Sequence, residues 1–337
     1  ERRSPSAYAG GPGVVGSING AMLAYLLNRL AQLVPVLVGC SLLVFLALQF
    51  LPGDAAQLFL GERDFTQEDY QAMREYLGLD EPLYVQYAKY AKNVLRGDFG
   101  RSVRTHELVL PAILERLPAS LTLAAASLFV ALVIGIPVGV LSAVKPYSRL
   151  DQGSMIGALL GVSIPNFWLA LMLILVFSLY LDWLPASGRG TPPDLKHLVL
   201  PAIVLGSAYA ATICRLTRSC MLEVLNNDFV RTARAKGLLE FLVINKHAFR
   251  NALIPVVTEV GISIVGLIEG STVIEVVFAW PGIARMAYQA ALYRDFPMLQ
   301  GCVLIVAGLF VVINLAVDAL YYYLDPRIQF AGAAHES

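Results

Sequence analysis

Long apolar runs alternate with short polar islands along this chain, and the runs have the length of membrane spans. Stretches 30–53, 117–144, 152–181 and 296–317 hold no Asp, Glu, Lys or Arg. Each exceeds the roughly 18–20 residues that a helix needs to cross a bilayer. A shorter run covers 197–214 and extends through Met221 and Leu222, past Arg215 and Arg218. Another, 251–284, is apolar but interrupted by Glu259, Glu269 and Glu275. Each span in lipid must satisfy its own backbone hydrogen bonds, so the pattern predicts an all-α membrane protein with six transmembrane helices.

The polar islands predict the remaining elements. The longest in the second half is 223–250. On a helical wheel Leu222, Leu225, Phe229 and Ala233 form a narrow apolar stripe, with Asn227, Arg231 and Arg234 opposite. That spacing predicts an amphipathic helix lying at a surface. Gly237 is expected to break it in a left-handed cap. A second helix over 239–250 then feeds the next apolar run. Two readings are open: a basic loop that only sets topology, or a docking surface for a soluble partner.

The segment 54–116 is too long to be structureless. Thr66 is placed to cap a helix from Gln67 to Leu77, closed by Gly78. Pro82 opens another, with Leu83, Tyr87, Ala91 and Val94 on one face and Gly97 at its end. These outer helices either cover the mouth of a pathway or serve as a folded spacer. Gly153, Gly157 and Gly161, and again Gly266 and Gly270, have the small-xxx-small spacing of close helix contacts. Trp280-Pro281-Gly282 predicts a turn at the outer surface. Residues 1–22 are read as a flexible tail or an expression remnant and 329–337 as a second tail, leaving 23–328 as the transmembrane domain.

Composition agrees with this picture. Of 337 residues, 57% are hydrophobic and 15% charged, with a mean hydropathy of +0.64. Net charge is zero, so its distribution matters more than its total. With the N-terminus inside, the inner segments hold Arg2, Arg3, Arg29, Lys145, Arg149, Arg215, Arg218, Arg231, Arg234, Lys236, Lys246, Arg250 and Arg327. The short outer loops hold only Arg189, Lys196, Arg285 and Arg294. That asymmetry fits the positive-inside rule and puts both termini and 223–250 on the cytoplasmic side.

Catalytic signals do not emerge. The sequence has no GxxxxGK[ST] and no strand-linked GxGxxG. No His, Cys or carboxylate cluster has metal-ligand spacing, and Cys40, Cys214, Cys220 and Cys302 fall in or beside spans, where packing is expected. The chain is therefore expected to be no enzyme and to hold neither cofactor nor metal. Energy for pumping would come from a partner or an ion gradient. The sharpest local feature is the row of acids Glu259, Glu269 and Glu275 in one span. A charge at the bilayer centre costs roughly 2.5–3.5 kcal/mol on insertion scales, so such residues face a cavity or a partner. Glu269 falls near the middle; it lines an aqueous path or is hydrogen-bonded between helices.

Several segments together resemble the inner-membrane permease subunits of bacterial ABC importers for dipeptides, oligopeptides and nickel. They are Leu51-Pro52-Gly53-Asp54, the run LGLDEPLYVQY from Leu77, Gly97-Asp98-Phe99-Gly100 and Ser163-Ile164-Pro165-Asn166-Phe167-Trp168. More specific are DFVRTARAKG from Asp228, HAFRN ending at Asn251, Pro255, Phe278-Ala279-Trp280-Pro281-Gly282, and Leu324-Asp325-Pro326-Arg327. The resemblance implies a type I importer permease fold in the bacterial inner membrane. It also implies a second homologous permease, two cytoplasmic ATPase subunits that bind ATP and Mg, and an extracytoplasmic solute-binding protein, with no nucleic acid partner. It implies that Asp228, Arg231, Ala233, Arg234, Ala235, Lys236 and Gly237 form the segment that couples to the ATPase. Trp280, Pro281 and Gly282 would form an outer gate or touch the binding protein. Two departures stand out. Arg231-Thr232-Ala233 replaces an implied Glu-Ala-Ala, and Glu259 and Glu269 replace apolar or glycine residues. Peptides are the expected substrates, a nickel or other metal chelate the alternative. A gradient-driven secondary transporter, with Glu269 as its ion site, is a further reading.

Overall fold

The structure, a computed structural model, describes residues 31, 34–46, 66–77 and 79–324. The tails, the turn at 51–54, Gly78, the motif residues 325–327 and much of the first predicted span lie outside the described residues. What is described of that span is an apolar helix, α1, Val34–Leu46.

The described residues outside turns and loops are helical. After α1 come α2 (Gln67–Leu77) and α3 (Leu83–Leu95). Then follow α4 (Val109–Val144), α5 (Arg149–Ser163) and α6 (Asn166–Tyr180, its last turns π-helical). The second half holds α7 (Leu195–Leu225), α8 (Asp228–Ala235), α9 (Glu240–Val277), α10 (Ile283–Leu292) and α11 (Phe296–Leu324). Among the described residues α4, α7, α9 and α11 are each long and apolar enough to cross a membrane. The pair α5 and α6 makes up to one more.

That pair is a correction. The charge-free run 152–181 predicts one straight span, but the chain bends by 105° between α5 and α6. The cause is local. Pro165 disfavours helical backbone at Ile164, which is extended at φ −78°, ψ 124°. Hydrophobicity sees both halves alike and does not register the break.

Glycines let α4 and α7 touch backbone to backbone. A Cβ at Gly206 would stand 2.5 Å from the Ser127 carbonyl oxygen, and one at Gly139 2.6 Å from that of Cys214. The close approach seals a core of Leu123, Leu200, Val204 and Leu205, completed by Leu267 and Ile274 of α9. The small-xxx-small stripe of α5 is used differently from expectation. Gly153 and Gly157 meet nothing within 4 Å, and only Gly161 approaches α7, at Ala211.

Helix α2 starts as its cap dictates. Thr66 and Asp69 bond each other's backbone N–H, at 3.2 and 2.9 Å, at the start of α2, a reciprocal cap. These bonds from Thr66 hold the Asp69 carboxyl below its ordinary pKa. On α3, Tyr87 donates or accepts a 2.8 Å bond with Ser41, and Phe45 lies 5.5 and 5.8 Å from the Tyr87 and Tyr90 rings. Helix α3 is thereby fastened to the first apolar helix.

Candidate functional site

The polar island between α7 and α9 is built in two pieces. Helix α7 ends at Leu225, and a new helix, α8, begins after Asn227. The single helix expected from Leu222 to Ala233 is therefore interrupted at Asn226, whose side-chain amide donates to the Leu222 carbonyl at 2.9 Å. The buried face of α8 is Val230 and Ala233, packed with Met221, Val243 and Ala248. Phe229, placed by periodicity on the inner stripe, is 44% exposed.

Gly237 follows in the left-handed region at φ +71°, as its position after the helix predicts. A Cβ there would meet nothing within 4 Å, so the backbone conformation, not crowding, is what requires glycine. Arg234 spans the turn to Glu240, with N–O distance 2.8 Å. That contact lifts the arginine above its ordinary pKa. Arg231 is 71% exposed and lies only loosely, at 3.6 Å, from Asp228. Ala235 and Lys236 are exposed. Beyond the turn, Leu238, Leu239, Phe241 and Leu242 are also exposed. Sequence reasoning missed this apolar cap because it followed the charges; four apolar side chains grouped just after the glycine were the available signal.

The three acids of α9 separate completely. Glu275, a pathway candidate by sequence, is fully buried and structural. Its Oε1 accepts from the Ser120 hydroxyl at 2.7 Å and its Oε2 from the Arg285 amide at 2.9 Å. A Cβ at Gly282 would overlap its carboxylate. The carboxylate thus occupies the N-terminus of α10, where free amides and the helix dipole favour an anion. Glu259 is half-buried at the middle of the helix. Glu269, between them, is exposed and lines a cavity of about 600 Å³ bounded by α1, α9, α10 and α11.

Trp280 also differs from expectation. The ring is 1% exposed, and its indole N–H donates to the Ala119 carbonyl at 2.9 Å. It anchors the turn from inside and presents no surface to a partner; Gly282 is buried with it, and Pro281 is half-buried. The loop before α7 reaches the same place, where the Gly188 N–H donates to the Phe278 carbonyl at 2.8 Å.

The chain belongs to the family described as binding-protein-dependent transport system inner membrane component, which residues 135–330 match, and 22–124 match that family's N-terminal part. It is 43% identical over 334 residues to the dipeptide transport system permease protein DppB of Alkalihalophilus pseudofirmus, covering 92% of this chain and 100% of that one. It is 43% identical, with the same coverage, to the oligopeptide transport system permease protein AppB of Bacillus subtilis. In fold it is similar to the methionine ABC transporter MetNI in an inward-facing conformation. That likeness has a TM-score of 0.53 and 23% identity over 64% of this chain and 98% of that one. The protein is thus an integral inner-membrane permease component of an ABC importer, with the type I permease fold.

Proposed function

We propose that this chain forms one half of the translocation pathway of an ATP-driven importer of di- or oligopeptides. A second, homologous permease supplies the other half. Two cytoplasmic ATPase subunits bind ATP and Mg, and an extracytoplasmic binding protein delivers the peptide. Peptide is favoured over a metal chelate by the similar proteins, which are dipeptide, oligopeptide and di/tripeptide permeases.

The observation that carries the coupling assignment is the element around α8. Val230 and Ala233 root it between α7 and α9, while Phe229, Leu239 and Phe241 lie exposed beyond the spans. A grouped apolar surface of this kind marks a contact site. Within 223–250, Asp228, Arg231, Ala233, Arg234, Ala235, Lys236 and Gly237 form the docking segment. Ala233 serves as its root, and Arg234 serves through the Glu240 clamp. The charge asymmetry supports a cytoplasmic position for this segment and for both termini. Segment 54–116 then lies outside, and Pro281 marks the face toward the binding protein. Glu269, with Glu259 deeper along α9, lines the route. Motion is alternating access, with closure of the ATPases carried to α7 and α9 through α8.

The test is a Gly237→Val variant in the assembled importer. A β-branched residue in left-handed backbone is strained by roughly 1–2 kcal/mol, local enough to leave membrane assembly intact. Peptide uptake should fall at least tenfold while ATP hydrolysis continues. Unchanged uptake per ATP would refute the coupling assignment.

A further inference from the structure

The cavity beside α9 carries a charge that the fold does not use. Its volume, about 600 Å³, lies within the ~300–1,000 Å³ typical of small-ligand sites. The walls are largely apolar, with Ser120, Ser271, Thr272 and Tyr288 supplying hydroxyls. Glu269 is the one charged residue among the described residues that line it. No cation pairs with it among the described residues. The contrast with Glu275, six residues along, is sharp, because that carboxylate is enclosed by donors from α4 and α10.

An anion held within a span without a partner is costly unless it faces water or meets a cation. Within the proposed peptide importer, on which this inference rests, the passing substrate brings such a cation. We infer that Glu269 is a specificity-determining residue that binds the amino-terminal ammonium of the peptide during passage. The ammonium presents several N–H donors in a compact point charge. Glu269 accepts one of them. The hydroxyl of Thr272 donates back to its own helix, at 3.5 Å, which leaves its oxygen free to accept another. The apolar wall formed by Val303, Val306 and Phe310 takes side chains with little selectivity, which suits a carrier of varied peptides.

The experiment uses the complete importer in liposomes. It compares uptake of a dipeptide with uptake of its des-amino analogue, each loaded on the same binding protein. Glu269→Asp should keep dipeptide uptake within about threefold, whereas Glu269→Gln should lower it tenfold or more with equal assembly and melting temperature. The des-amino analogue should be slow in the wild type and no slower in Glu269→Gln. The inference is overturned if Glu269→Gln takes up dipeptide at the wild-type rate. Equal loss on both substrates, or loss that tracks impaired assembly, overturns it as well. Failure of the wild type to import any peptide with ATP would instead refute the proposed function.

Discussion

Asp151 and Arg218 hold the chain together just where α5 begins and α7 nears its end. Two hydrogen bonds, 2.5 and 2.7 Å, join the guanidinium to the carboxylate, and the Tyr147 amide donates to the same acid at 2.9 Å. Asp151 is 3% exposed. Removing one partner of such a pair leaves an uncompensated charge, which costs more than the pair itself contributes. Arg218→Ala should therefore destabilise the protein by about 3 kcal/mol, at the lower end of that range because the arginine keeps some solvent contact. Adding Asp151→Asn to that variant should restore part of the loss, read as melting temperature in detergent. A double variant no more stable than Arg218→Ala would assign the effect to lost packing. The sequence exposes both residues as charges near spans, but nothing in their spacing pairs them. They stand 67 positions apart, and only the fold supplies the contact.

At the scale of elements, the bundle depends on how closely α4 and α7 approach. Gly206 sits under the Ser127 carbonyl and Gly139 under that of Cys214. A valine at Gly206 cannot be accommodated by rotating a side chain, because the obstacle is backbone. Gly206→Val should lower the yield of folded protein in the membrane severely, whereas Gly157→Val, in open space, should not. Comparable yields for the two would contradict the packing described. Both glycines look alike in sequence, each set within an apolar run. The break between α5 and α6 shows the same limit from the other side. The proline was visible, but whether a proline kinks, breaks or is absorbed depends on its neighbours. Pro137, Pro201 and Pro255 lie within continuous helices, while Pro165 begins a new direction.

For the whole molecule, the charge asymmetry leads to a direct expectation about topology. A single cysteine introduced at Lys236, just past α8, should react with a membrane-impermeant thiol reagent only from the cytoplasmic side, and one at Arg189 only from outside. Opposite labelling would invert the proposed orientation and with it the coupling assignment. The class of protein, the positions of most spans, the Gly237 turn and the capped start of α2 follow from the residues themselves. Each depends on a local balance: apolar side chains against lipid or water, a cap against free amides, a glycine against left-handed backbone. The fates of the acids do not. Glu269 and Glu275 are the same residue type on the same helix, and insertion costs treat them alike. Glu275 is enclosed because Ser120, 155 positions earlier, and the start of α10 close around it. Glu269 stays open because α1, α10 and α11 leave a cavity at its side. Such contacts between distant parts of the chain are properties of the packed bundle, and no periodicity encodes them.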